Sequence, residues 1–556
     1  MNNTQHKRKK PVSLPKLVRL ILLFTTILFF SVSPIYAQQK SKKIINIEHA
    51  DLLKTDENVV ADARRLIGNV HLTHDNIVMY CDSAWFYTRS NIVDAFGRVH
   101  IISNDTVNIW ADFINYNGET GLAKARHNVK LEDPAIKLTT DSLDFDMETE
   151  IGYYEYGGEI VDSANVLNSI IGRYYTQKNE FFFTHEVTLI NDNYNIFTDT
   201  MIYNTDTEVV IFEGDTKIIG DSTNIYSSEG WFNTKNNQTR LGKNSTIRRG
   251  NTQIQAENLF YDDNSDEGYA SGNVIINDYA NKMIVLGQKA EYDDFDKYAL
   301  VTDSAVWIQY YDNDSLFLHA DTLYTIPDTA AVDAKLLITY NNVSFYRSDI
   351  QGVGDSLVYY TRDSTIQLFN DPVLWSMENQ MTADFIEFKN NTTKPSEVYL
   401  TNNSFIIQEV DSTRFNQIKG KNMVGYIRNQ ELYQIKVNGN GQSIYYPADD
   451  DELIGVNKAE SSNIVIYLSD NQIKRITFLG SPVGVMNPLI EVKEEDTILP
   501  GFNWREDERP RNRHDIFGIQ KDSTHTPRIP NPTLEKELPS MQEEQKNIEK
   551  RLQSKN

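Results

Sequence analysis

The strongest constraint on this chain is a two-part pattern that returns about every 30 residues over most of its length. One half reads acid, two or three mixed residues, then an aromatic. It appears as Asp82-Ser83-Ala84-Trp85-Phe86, Asp112-Phe113-Ile114-Asn115-Tyr116, Asp141-Ser142-Leu143-Asp144-Phe145 and Asp199-Thr200-Met201-Ile202-Tyr203. It returns in Glu257 to Tyr261, Asp321 to Tyr324, Asp355 to Tyr359 and Asp384 to Phe388. The other half opens on glycine or asparagine and alternates β-branched with polar residues, as in Gly68-Asn69-Val70-His71-Leu72 and Gly97-Arg98-Val99-His100-Ile101. Asn128-Val129-Lys130-Leu131, Gly214-Asp215-Thr216-Lys217-Ile218 and Gly272-Asn273-Val274-Ile275-Ile276 continue it.

Period-two alternation gives each unit short strands with one apolar and one wet face. A single unit cannot bury its apolar face, whereas stacked neighbours can. Turn clusters inside the units, such as His74-Asp75-Asn76, Asn117-Gly118-Glu119 and Asn236-Asn237-Gln238, reverse the chain between apolar runs. They favour antiparallel hairpins over the coils of a parallel β-helix. The expected class is all-β, an elongated antiparallel solenoid of roughly 30-residue units. Val70, Leu72, Val99, Ile101, Ile114, Val129, Leu131, Leu143 and Met201 are expected to face its interior. The recurrent acids Asp82, Asp112, Asp141 and Asp199 occupy one repeat position and are expected to hold turns or backbone amides. Catalysis by a carboxylate pair needs two particular residues in a cleft and is not suggested by a ladder of equivalents.

The alternating Ala-Asp-x-x-x-Tyr and Gly-x-Val-x-Ile signatures resemble the OstA-like, or LptA, family of lipopolysaccharide transport proteins, whose module also begins LptD. The resemblance covers roughly Ile44 to Gly480 and is clearest from Gly68 to Phe388. It implies an open β-jellyroll, two antiparallel sheets meeting in a V, with lipid A acyl chains carried along the apolar groove. It implies lipopolysaccharide as ligand, and other jellyroll proteins or the chain itself joining by strand addition at the sheet edges. The nine inward residues become groove candidates on that ground. By residue pattern alone a core filled by its own side chains is the favoured reading. A structural or adhesive envelope scaffold with a filled interior is therefore the competing function. The chain exceeds a single-module bridge protein, its later units drift, and no room is left for a barrel like that of LptD.

The remaining composition sets the context. Residues 1–37 read as a signal peptide: Lys7 to Lys10 are basic, Leu20 to Val32 apolar, and Ala37 a small residue at the expected cut. Export to the periplasm follows. Three modules are expected at 38–190, 191–340 and 341–480, the last more divergent. A polar, disordered tail is expected at 481–556, with a charged helix from Glu535 to Leu552. The net charge of −24 argues against nucleic acid as a partner. Cys81 is the only cysteine, so no internal disulfide can form. His71 and His74 should point to opposite faces, a poor metal pair. Asp262 to Asp266 begins like a calcium loop, but Glu267 stands where glycine is needed. No cofactor, metal site or enzyme activity is expected. Trp85 and Trp231 could stack on sugars but are expected in the core.

Overall fold

The computed structural model describes residues 44–518 apart from 56–62, 163, 263, 294–297, 312–313, 333, 392, 430, 450–451, 471 and 494–495. The signal peptide expected at 1–37 and the helix expected at Glu535 to Leu552 lie outside the described residues. Nearly all of the rest is antiparallel strand, joined in one hydrogen-bonded sheet from Asn46–His49 to Val483–Asn487. No described helix is long and apolar enough to cross a membrane.

Each long strand is divided near its middle by a bulge. The strand Ala63–His74 pairs Ile67 with Ser83 and then Val70 with Cys81, so Gly68 and Asn69 face the single Asp82. In the next strand Gly97 and Arg98 face Asp82 from its other side. Gly68, Asn69, Gly97 and Arg98 all have positive φ. Two left-handed residues opposite one bend the bulged strand. The same device recurs at His127-Asn128, His185-Glu186, Asp303-Ser304, Asn341-Asn342 and Asn402-Asn403. This is the physical content of the repeat. Glycine or asparagine tolerates the left-handed backbone, and the acid on the unbulged strand faces the corner. The acids bind chiefly side chains there, a refinement of the expected backbone role. Asp82 accepts from Arg98 Nη2 at 2.6 Å, Asp112 from Asn128 Nδ2 at 2.7 Å, and Asp321 from Asn342 Nδ2 at 2.9 Å.

The corners divide the sheet into two halves that face each other across the interior. One half-sheet carries the segments that follow the bulge in strands such as Ala63–His74. The other carries the segments that precede it. Inward residues form one contiguous apolar cluster from Ile45 to Leu468. The ladder runs unbroken through 190/191 and 340/341, the second of which lies inside the strand Lys335–Arg347. His71 and His74 point to opposite faces: His71 stacks on Tyr80, and His74 Nδ1 meets the Tyr116 hydroxyl at 2.7 Å inside. Asp262 ends a strand and Asn264 to Asp266 lie in a hairpin turn, with Asp266 paired to Arg249 at 2.9 Å. Trp85 and Trp231 depart from expectation. Alternation places Phe86 and Phe232 inside, so both tryptophans face outward, half-buried.

The segment after Gly480 also departs from expectation. Val483–Asn487 adds a strand, and residues 489–493 and 496–517 lie back over the outer face of one half-sheet as a strap. Three glutamines from three strands hold it. Gln417 binds Thr497 O and Leu499 N, Gln380 binds Asn503 O and Arg505 N, and Gln351 accepts from Arg509. Leu499, Phe502 and Trp504 pack on Phe405, Ile407, Ile444, Tyr446 and Val456. Ile516 and Phe517 pack on Leu286, Val306, Ile308 and Phe317. Such sparse apolar residues cannot build a core of their own, which is why the composition reads as a solvated tail. They suffice to cover an apolar face that already exists.

Candidate functional site

The nine residues expected inside are all buried, and none is more than 1% exposed. Around them the interior is filled by large side chains from both half-sheets, including Leu66, Tyr116, Phe145, Tyr174, Phe181, Phe183 and Tyr203. Small pairs such as Ala123 and Ala125 face Tyr116 and Ile114 on one side and Phe145 and Leu143 on the other. Cys81 lies in the same cluster, and burial pushes its thiol up to about 12. It is a small core residue, since the reactive thiolate is suppressed at neutral pH.

The free edges of the two half-sheets are laced together. His74 meets Tyr116, the Tyr174 hydroxyl donates to Asp133, and the Tyr203 hydroxyl donates to Asp162 Oδ2 at 2.7 Å. Ile45 N donates to Asn91 Oδ1 at 3.0 Å, and the Tyr311 and Tyr359 hydroxyls are 2.9 Å apart. Burial, then the neighbouring carboxylates, pushes the Tyr174 and Tyr203 hydroxyls above their ordinary value. They are neutral donors at any physiological pH. The first segment is therefore closed along this seam as well as filled.

Among the described residues the interior opens at a place that none of the nine residues reaches. A cavity of about 250 Å³ lies between the half-sheets, with walls from the strands between Thr223 and Lys335. Its apolar lining includes Ile247, Ile254, Leu259, Ile276, Met283, Val285 and Trp307. Here Ala270 faces Ala290, Gly268 faces Tyr292, and Val301 comes next to Ala290. Tyr292 lines the cavity in line with Ala290, but it is 36% exposed and its ring leaves the gap unfilled. That run of small inward residues is the signal in the sequence that could have located the cavity. At its mouth Arg249 Nη1 donates to the Tyr261 hydroxyl at 2.6 Å, and Lys335 Nζ stands 3.6 Å from Asp278 Oδ2. Two polar atoms in the wall are buried without a partner: Trp307 Nε1 and Thr223 Oγ1. The arrangement can hold an apolar chain and present charge at the entrance. Among the described residues no cluster of His, Cys, Asp and Glu could hold a metal ion.

A continuous antiparallel sheet, bent at regular bulges around an apolar interior, defines a protein of the LptA-like β-jellyroll class. Within that class, residues 42–199 match the family model of the OstA-like protein, and 224–394 match that of the LptA/(LptD N-terminal domain) LPS transport protein. The chain thus carries two domains of the lipopolysaccharide transport families, and the second contains most of the cavity wall. Solved structures that match include LptH, the LptA homologous periplasmic component of the lipopolysaccharide transport device from Pseudomonas aeruginosa. That match has 14% identity, covers 21% of this chain and 82% of that one, and has a TM-score of 0.19. No curated protein matches the chain.

Proposed function

We propose that this protein binds acylated lipid, lipopolysaccharide in particular, in the apolar space between its half-sheets, and serves its passage across the periplasm. The apolar cavity inside the segment that matches the transport domain carries this reading. Each methylene moved there from water is worth about 0.8 kcal/mol, so a single chain can be held without a charged site. Nothing in the cavity suggests catalysis, and the reading is of a carrier rather than an enzyme. The binding place differs from the nine residues first expected. It lies at 223–335, while the filled segment before it acts as a spacer in which the scaffold reading holds locally. The three modules at 38–190, 191–340 and 341–480 remain our proposed division of the sequence, and end-to-end strand addition our proposed mode of partnership.

The test is site-specific photo-crosslinking in cells. Probes at Ile254 and Ile276, which are half-buried in the cavity wall, are expected to capture lipopolysaccharide, whereas probes at Ile114 and Leu143 are not. Capture only from outward positions such as His71 or Lys130 would refute an interior site.

A further inference from the structure

On the outer face of the strapped half-sheet, cross-strand partners form a single row in which amides alternate with apolar side chains. Gln417 pairs with Ile407, Ile407 with Gln380, Gln380 with Trp375, and Trp375 with Gln351. The strap follows that row. Gln417 and Gln380 grip it in the same way, each donating from Nε2 to a strap carbonyl at 2.7 Å and accepting the backbone N–H two residues later. The strap's end at Ile516 and Phe517 packs as far as Ile275 and Ile284, and the described residues stop at Gly518.

The row itself continues. Ile284 pairs with Asn277, Asn277 with Gln253, and Gln253 with Arg248. Arg248 pairs with Asn224, Asn224 with Ile219, and Ile219 with Asn195. Asn195, Asn224, Arg248 and Gln253 alternate with inward Ile196, Ile225, Ile247 and Ile254, so they face outward. In the first segment the outward residues of the same half-sheet, such as Val78, Tyr80, His100 and Ile102, are half-buried or exposed. Here Ile219 is 7% exposed, Gln253 5% and Asn224 2%. Asn195 Oδ1, Asn224 Oδ1 and Arg248 Nε are buried with no partner. Buried polar atoms are nearly always satisfied, so three of them on one row call for a polar backbone lying along it.

We propose that residues 519–532 continue the strap along this row. Their backbone N–H groups donate to Asn224 Oδ1 and Asn195 Oδ1, and a carbonyl accepts from Arg248 Nε. The reach suffices: the row from Ile284 to Asn195 covers about 29 Å at about 4.8 Å per strand, and this length of chain extends up to about 46 Å at about 3.3 Å per residue. Ile519 to Thr526 contain no proline and can donate, while Pro527, Pro530 and Pro532 keep the chain beyond them extended. On their inner faces the covered strands carry Thr223, Ile247, Ile254 and Ile276, which line the cavity. Docked there, the tail backs the cavity wall from outside, whatever the cavity holds.

Hydrogen exchange in the full native chain is the first test. Amides of 519–526 should exchange at least about tenfold more slowly than in the isolated peptide of that sequence. In the double variant Asn195→Ala, Asn224→Ala that protection should fall several-fold, with exchange in Leu122–Glu132 unchanged. Free-peptide rates in the native chain overturn the proposal without recourse to any variant. The second test places photo-methionine at Ile219 in an equal mixture of 15N-labelled and unlabelled chains. Crosslinks to 519–532 that never join labelled to unlabelled chain support docking within one molecule. Mixed crosslinks assign the row to a second copy and overturn it, as does capture of another segment or of none.

Discussion

Filling the cavity should stabilise this protein, whereas the same substitution in the filled segment should destabilise it. Ala270 and Ala290 face each other across two strands of the cavity wall. Ala270→Leu adds three carbons to a space of about 250 Å³. At about 0.8 kcal/mol per buried methylene the gain is about 2.4 kcal/mol, reduced by roughly 0.5–1 kcal/mol for the leucine rotamers it fixes. A net stabilisation of about 1.5 kcal/mol follows. Ala125 occupies an inward position between Ile114 and Leu143, both without exposure. Ala125→Leu should overpack that site and cost about 1–3 kcal/mol. A long repeat array need not unfold in one step, so the assay must be local. Hydrogen exchange of the strand Glu267–Asp278 should slow about tenfold in Ala270→Leu. Exchange of Leu122–Glu132 should quicken in Ala125→Leu. The first variant should also lose lipid crosslinking at Ile254. If Ala270→Leu quickens exchange by as much as Ala125→Leu, the space between the half-sheets is not there, and the argument for a ligand falls with it.

Three further outcomes follow from other parts of the structure. Ile516→Asp puts a charge where a buried side chain meets Leu286, Val306, Ile308 and Phe317, and should release the end of the strap. At a cost of at least about 2 kcal/mol, exchange in the strand Ser315–Pro327 should rise about thirtyfold; unchanged exchange would show that the strap does not hold this face. The buried tyrosines set an alkaline limit. Burial raises Tyr154 and Tyr194 to about 12, and Tyr174 and Tyr203 are raised too, while an unfolded tyrosine ionises near 10. Above about pH 10 the unfolded chain therefore binds fewer protons than the folded one, so this stability is intact below that pH and is lost as pH rises towards the folded values. Urea midpoints measured from pH 8 to 12 should fall, and Tyr203→Phe should flatten the fall while costing about 1.5–3 kcal/mol at neutral pH through the lost bond to Asp162. Asn128 has φ 54° at a corner, so Asn128→Val should destabilise by about 1–2 kcal/mol and Asn128→Gly by much less. Similar thermal stability of the two would mean that the corner does not depend on the left-handed backbone.

The repeat itself was legible because its causes are local. Alternation makes the strand faces, and polar clusters at His74-Asp75-Asn76 or Asn117-Gly118-Glu119 reverse the chain within a few residues. The glycine or asparagine that opens each Val-x-Leu run and the acid that opens each aromatic run mark the corner, although that meaning appears only once the strands are paired. The inward orientation of Val70, Leu72, Ile114 and Leu143 follows from parity alone.

Whether those inward residues fill the interior or leave room is not a local property. It depends on the summed volume of side chains on two facing half-sheets, so Ala123 and Ala125 are packed while Ala270 and Ala290 line a cavity. The seam is set by pairs about 40 residues apart, as in His74 with Tyr116 and Asp162 with Tyr203. The strap depends on contacts between Gln351, Gln380 and Gln417 and residues 80 to 158 positions later. By itself the sequence determined an exported-looking, antiparallel, repeating β architecture and the faces of its strands. Only the tertiary structure decided where the interior is closed, where it opens, and what covers its back, because those depend on which distant surfaces meet and how much volume they bring.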